Sequence, residues 1–409
     1  MTRQWGRFSV RGSAEFEERM SALFTDLADH ARKVLPPDVC RAMVLLGGYG
    51  RGEGGVVMTD EGECPHNNLD FLVITRRISP VEQERLKTRV QEAIHPLAQT
   101  YGIEFDVAAI TESKLRRSPS LVMWYDMRFG HKTVVGDAKL VPSLKRFSVE
   151  RVPSWDIMNL LVNRGTLLVI NDQLIVAREL RPDDRQRVVK HAMKAIIGYG
   201  DALLYFLGRY DWSYAEKQKR MRACKDAPDA FRALYDEAIE FRFQPQYAAY
   251  VDRDLPAWMD ELRIALAPIH LLCERKRLRC ERLTWETYAE TVFRRALWDD
   301  SRSPRGWAKK AVNLLRTPGR LPQGFSVGAQ MGYRMLGLRG ILPALFPVAA
   351  YHLEDVRFRE LVAQCLRAQS TQMDELRRAY LFTWGSAVEP LLLDLARKWD
   401  LPLEPGTPA

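Results

Sequence analysis

The stretch Gly47-Gly48-Tyr49-Gly50-Arg51-Gly52-Glu53 places four glycines directly after a short apolar run, Ala42–Leu46. Glycines in that position let the backbone bend sharply and come close to a ligand. Successive backbone N–H groups in such a turn make a nest for an anion. Arg51 adds a fixed charge whose planar fork matches phosphate oxygens. Gly47, Gly48, Tyr49 and Arg51 are therefore the candidate phosphate contacts, although an ordinary glycine-rich loop satisfies the same residues.

Two later segments carry acids. His66-Asn67-Asn68-Leu69-Asp70 leads into Phe71-Leu72-Val73-Ile74, and Ile103-Glu104-Phe105-Asp106-Val107 follows some thirty residues on. Side chains alternate along a strand, so Asn68 and Asp70 share one face, as do Glu104 and Asp106. If the two strands are neighbours, four oxygen-bearing side chains meet on one patch. A carboxylate half buried among apolar residues needs a partner. A divalent cation is one, and Arg or Lys is another. Mg²⁺ prefers oxygen ligands and suits a phosphate-bearing substrate, so if a cation is the partner, Asn68, Asp70, Glu104 and Asp106 are the candidate ligands. Each acid taken alone is also explained as a strand-start turn acid or a satisfied structural carboxylate. Gly50-x-Gly52-x-x-Gly55 matches a dinucleotide fingerprint in form, but that motif must open a helix and Gly52–Pro65 does not read as one.

The elements that must position these residues follow from periodicity. Residues 14–34 form an amphipathic helix stopped by Pro36-Pro37. Ala42–Leu46 is a buried strand, residues 51–67 a polar loop and Leu69–Thr75 a second strand. Ser79-Pro80 opens a helix to about Thr100, and Ile103–Ile110 is a third strand. Leu121–Phe129 reads as a short helix and Lys132–Val135 as a further short strand. After about residue 150, long helical patterns dominate: 154–170, 183–208, 227–242, 256–282, 284–298, 303–315 and 353–398. The expected fold is α+β: a mixed sheet flanked by helices over residues 1–150, then a mostly helical region over 151–400. A sub-boundary falls near 316–323, and 401–409 is a flexible tail.

Strand, glycine turn, a strand opened by Asn68-x-Asp70, helix, then a strand with a further acid: this order resembles the DNA polymerase β-like nucleotidyltransferase superfamily over about residues 40–137. The turn from Gly47 to Glu53 is similar to that of the uridylyltransferases that modify the PII signalling protein. The Gly130–Asp137 segment also looks like a piece seen late in many such domains. The resemblance implies that Gly47 and Gly48 hold a triphosphate, that Asp70 matches the second metal-binding acid, and that Asp106 matches the third, often a base toward the acceptor hydroxyl. It implies an NTP substrate, Mg²⁺ or Mn²⁺, and a helical domain that recognises an unidentified acceptor: a small molecule, a protein or an RNA. This chain departs from the pattern at Asn68, where the family has the first acid of D-x-D. Three readings stay open. Glu104 or the loop acids Asp60, Glu61 and Glu63 compensate, the domain binds nucleotide without turning it over, or the position is an inactivating substitution.

Bulk properties limit the alternatives. The chain has 409 residues, 46% of them hydrophobic and 28% charged, which is ordinary for a soluble globular protein. Residues 1–150 carry 21 basic and 20 acidic side chains, so nearly all of the net +9 falls in the second half. That excess suits a polyanionic partner, or simply a solvated basic surface. Within the helical region Asn163-Arg164, His191, Lys190, Lys194, Gly198–Asp201 and Tyr210–Lys219 are candidates to line a triphosphate or acceptor pocket, with Lys194 the foremost. The six cysteines form no C-x-x-C pair and the histidines no zinc spacing. Met1–Val10 lacks the apolar core of a signal peptide, and the longest apolar stretch, near Gly340–Tyr351, is too short to span a bilayer. A cytosolic protein with no membrane partner is expected.

Overall fold

The computed structural model describes residues 5–60, 62–177, 179–250, 252–298, 304–317 and 320–403. The protein is mixed α+β, with one small four-stranded sheet and many helices. In chain order the elements begin with α1 (Ala14–Val34), β1 (Cys40–Leu45), α2 (Gly47–Arg51), β2 (Val56–Thr59), β3 (Gly62–Pro65), β4 (Leu69–Thr75), α3 (Pro80–Tyr101), β5 (Phe105–Thr111), α4 (Glu112–Arg117), α5 (Val122–Phe129) and β6 (Lys132–Gly136). Next come α6 (Ser154–Ala177), α7 (Pro182–Phe206), α8 (Tyr214–Arg222), α9 (Asp229–Phe243) and α10 (Leu255–Leu278). The last are α11 (Trp285–Arg295), α12 (Pro304–Arg316), α13 (Val327–Leu336), α14 (Leu338–Tyr351), α15 (Val356–Leu366), α16 (Met373–Ala387) and α17 (Leu391–Lys398).

The chain divides into two compact units. One comprises residues 1–157, 208–228 and 232–246; the other comprises 158–207, 229–231 and 247–409. The first unit thus takes back α8 and most of α9, segments whose helical pattern reads as part of the second half. The reason is a buried carboxylate. Glu53, 7% exposed, accepts hydrogen bonds from Ser213 Oγ (2.6 Å), Tyr214 N (2.7 Å) and Ala215 N (3.3 Å). It satisfies N–H groups that the first turn of α8 leaves without helical partners, and its charge is favoured at that end of the helix.

The sheet order is β5-β4-β1-β6, with β4 and β5 parallel and the other pairs antiparallel. Both faces are covered. Met43, Leu45, Leu69, Phe71, Val73, Phe105 and Val107 pack under α1 and α3, while Ala42, Val44, Leu72, Ile74 and Ile110 pack under α4, α5 and the segment to Phe147. The exposed acids Asp70 and Asp106 stand at the starts of β4 and β5, beyond that second layer. Helix α3 carries the expected Ser79 cap as a full capping box with Glu82. Near the N-terminus, Glu17 is 2% exposed and accepts from Phe8 N (2.8 Å), Ser9 N (2.9 Å) and Ser9 Oγ (2.6 Å), pinning the leading segment to α1.

Some sequence expectations need correction. The 51–67 segment is not all loop: β2 and β3 pair as an antiparallel hairpin. The 353–398 pattern is three helices. Arg367 adopts a left-handed conformation at the end of α15, and Pro390 separates α16 from α17. The third strand begins at Phe105, not Ile103. The most membrane-like helix among the described residues is α6 rather than the 340–351 run, and 61% of its most apolar window is buried inside the protein. The loop acid Glu61 and residues 404–409 of the expected tail lie outside the described residues.

Replacing Glu17 with Ala should leave two buried backbone donors unmatched. We expect a loss of about 2–4 kcal/mol, read as a lower urea midpoint for the first unit, with Glu17→Gln restoring part of it.

Candidate nucleotide and metal site

Strand β4 brings Asp70 to the mouth of the glycine turn. In the parallel β4–β5 ladder Asp70 and Asp106 are register partners, so their side chains stand beside each other on the same face of adjacent strands, about 4.8 Å apart at the backbone. Both are exposed. Asn68 joins them: its Nδ2 donates to Asp106 Oδ2 at 3.2 Å. Asp70 Oδ2 would lie 3.1 Å from a Cβ placed on Gly47, and Gly47 has φ +67°. Any side chain at 47 would be strained in the left-handed region and pressed against that carboxylate. Asn68, Asp70, Asp106 and the Gly47 turn therefore meet, the condition set by the sequence (that β4 and β5 be neighbours) being met. Glu104 stands just before β5 and is exposed. Its backbone carbonyl accepts from Leu69 N (2.9 Å). With Asp106, Gln91, Ile94 and His95 it lines a groove of about 440 Å³ beside the acids.

The other residues of the turn have different roles. Tyr49 is 2% exposed; its hydroxyl donates to Gly55 O (2.7 Å) and accepts from His66 N (2.9 Å). It staples the hairpin base to the turn, and burial pushes its phenol up to about 12. Arg51 was expected to face phosphate. It instead forms a buried ion pair with Asp126 at 2.5 Å, the two side chains only 8% and 11% exposed. Burial opposes the Arg51 charge, but the Asp126 carboxylate, aided by Tyr214 and Tyr210, overcomes it and raises the guanidinium above its ordinary range. The compensating loop acid Glu63 is committed elsewhere, accepting from Ser13 N at 2.9 Å. Lys194 lies on α7 in the second unit.

The cations gathered at the turn come from α8 and α9. Tyr214 is the hub. Arg51 lies over its ring at 4.8 Å, Lys217 Nζ at 4.0 Å and the Arg242 guanidinium at 4.0 Å. Lys217 is wholly buried and also lies over the Tyr210 ring at 4.8 Å. Arg242 is the residue that a phosphate would meet. Its Nη2 sits 3.0 Å from a Cβ placed on Gly48, and its buried Nε has no hydrogen-bond partner. The backbone is shaped around it: a Cβ on Gly55 would fall 2.5 Å from the Arg242 carbonyl oxygen. The turn thus has acids on one side, at Asp70 and Asp106, and a guanidinium on the other. Sequence reading flagged Tyr210–Lys219 but not Arg242, which shows there only as one more charged residue near a helix end.

Among the described residues no group of three His, Cys, Asp or Glu side chains is placed to hold a metal ion. Two carboxylates and an amide remain. That set fits Mg²⁺ of the kind bound through one or two carboxylates together with substrate phosphates, not a closed protein cage.

The two arginines at the turn should separate under mutation. Asp126→Ala strands the buried Arg51 charge and should cost about 3–5 kcal/mol in chemical denaturation. Arg242→Ala removes a stacked cation that has no ion pair among the described residues and should cost about 1 kcal/mol. Equal costs would refute this division of labour.

No protein-family model and no curated protein matches the chain.

Proposed function

We propose that this protein transfers a nucleoside monophosphate from an NTP to a hydroxyl of an acceptor, in a site of the nucleotidyltransferase type. The observation that carries the reading is the pairing of Asp70 with Asp106 beside Gly47, with Arg242 across the turn. In this reading the N–H groups of the Gly47-Gly48 turn and the Arg242 fork bind and orient the triphosphate. Asp70 and Asp106, with Asn68 beside them, hold Mg²⁺ or Mn²⁺, which supplies charge neutralisation at the phosphates. Asp106 Oδ2 is engaged by Asn68, which leaves Oδ1 to take the proton of the attacking hydroxyl. The groove lined by Gln91, His95 and Glu104 gives the acceptor an approach to that oxygen. Preorganised charge and positioning make up most of catalysis in such transfers, so the site needs few participating side chains.

A second reading is favoured by one contact. The Asn68 amide donates to Asp106 where the family pattern would have a further carboxylate. That hydrogen bond supplies part of the positive charge a cation would bring, and it suits a module that binds nucleotide and turns it over weakly or not at all.

Radiolabelled NTPs with Mg²⁺ or Mn²⁺ and a cell extract as acceptor source test the first reading. Asp70→Ala and Asp106→Ala should each lower transfer by at least about 10²-fold. Arg242→Ala should weaken NTP binding by roughly tenfold or more. Transfer that survives both aspartate substitutions sinks the site assignment. Asn68→Asp separates the two readings: a rise in metal-dependent turnover points to a weakened enzyme, and tight NTP binding with no turnover in either form points to the binder.

A further inference from the structure

The chain as a whole is basic, at net +9, but the groove beside Asp106 is not. Glu104 and Asp106 both line it, and neither Lys nor Arg is among the described residues that do. Its other polar side chains, Gln91, His95 and Gln99, recur every four residues and so come from one face of α3. At about 440 Å³ the groove falls in the range of small-molecule sites, and all of it belongs to the first unit.

Glu104 sets its character. The backbone there is fixed, since the Glu104 carbonyl accepts from Leu69 N at 2.9 Å where the β4–β5 ladder opens. The exposed carboxylate makes no hydrogen bond or ion pair among the described residues, whereas Asp106 accepts from Asn68. In the proposed site a divalent ion meets the charge of Asp70 and Asp106, and that of Glu104 stays unmet. Exposure alternates around buried Phe105, so Glu104 and Asp106 share one face, about 6–7 Å apart along the chain. A hydroxyl delivered to Asp106 therefore brings the far side of its own carrier to Glu104. What that carboxylate favours is a cation that donates hydrogen bonds. The amides and imidazole on the α3 side suit further hydroxyls.

Charge ranks the acceptors. An RNA end or a phosphorylated sugar carries its anion into a groove with two carboxylates and no lysine or arginine, well within the roughly 8 Å over which charges act at physiological salt. A neutral sugar leaves Glu104 without a partner. The hydroxyl of a protein side chain has no ammonium group at a fixed distance from it. We propose that the acceptor is a small hydroxylated amine, an amino sugar or amino alcohol, with its ammonium group on Glu104 and its reacting hydroxyl at Asp106. The hydroxyl oxygen bonds to the α-phosphorus of the NTP as the bond to the leaving pyrophosphate breaks, and the hydroxyl proton passes to Asp106; the amine stays protonated and takes no part in bond formation. The use of the groove for an acceptor rests on the transfer reading, but its charge preference is measured without it.

Calorimetric titration of the full chain with the β-1,4-linked glucosamine disaccharide and with cellobiose, which has hydroxyls in place of both amines, tests that preference. The diamine should bind at least about fivefold more tightly, and the gap should shrink as salt rises. Glu104→Gln keeps the shape of the side chain and should remove most of the gap. Equal binding of the two disaccharides overturns the proposal, and so does a gap that survives Glu104→Gln. Loss of Mg²⁺-dependent ATP binding in Glu104→Gln with diamine binding intact also overturns it, by assigning Glu104 to the metal. So does label passing from ATP to a single-stranded RNA oligonucleotide. Failure of ATP and Mg²⁺ to bind the unaltered chain sinks the transfer reading instead, and leaves the charge preference to the two disaccharides.

Discussion

The buried carboxylate of Glu53 joins residues far apart in sequence. While the backbone N–H of Glu53 closes the glycine turn by donating to Gly48 O, its carboxylate, through Ser213, Tyr214 and Ala215, caps a helix that begins some 160 residues later. A buried charge is tolerated only when its lone pairs are filled, and here three donors fill them. The consequence reaches beyond stability. Capping α8 sets Tyr214 in place, Tyr214 collects Arg51, Lys217 and Arg242, and Arg242 is thereby brought to Gly48. Without that cap the turn would still be rich in glycine, but it would lack the cation on which the proposed phosphate site depends.

The acids depend on a different constraint, the register of β4 against β5. Leu69, Phe71 and Val73 enter one core, and Leu72 and Ile74 the other. Because side chains alternate with period two, a slip of one residue would exchange these sets and turn Asp70 into the layer beneath α1 and α3. Burial on both faces therefore fixes the register that sets Asp70 opposite Asp106. The site is assembled by hydrophobic packing at one end and by a buried ionic cap at the other.

This difference explains what could be read from sequence. The strands, α3 and its cap, and the shared face of Asn68 and Asp70 are legible because alternation and capping are local signals, whereas the pairing of β4 with β5 that brings Asp106 to them is long-range. The hairpin over 56–65 was missed because Gly62-Glu63-Cys64-Pro65 lacks the alternating apolar pattern, its residues being partly exposed on both faces. Arg242 was missed because nothing near it in sequence distinguishes it; its role exists only after α9 returns to the turn. Arg51 misled for the same reason. A cation inside a glycine turn looks like a phosphate ligand until Asp126, on another element, claims it.

These two halves of the site also bear on the meaning of Asn68. Cations and acids face each other across the turn, and a triphosphate would have to approach both. Each carboxylate at the mouth repels that anion unless a cation intervenes, and an amide in place of one removes a negative charge. The amide thus works in two directions: it weakens the hold on a divalent ion, and it lowers the repulsion of a nucleotide that arrives without one. In the proposed site the burden of binding shifts from Asp70 and Asp106 toward Arg242 and the backbone of Gly47 and Gly48. On this account a chain that keeps the stacked guanidinium while lacking the first acid is organised to hold phosphate first, with the strength of its metal chemistry governed by what stands at position 68.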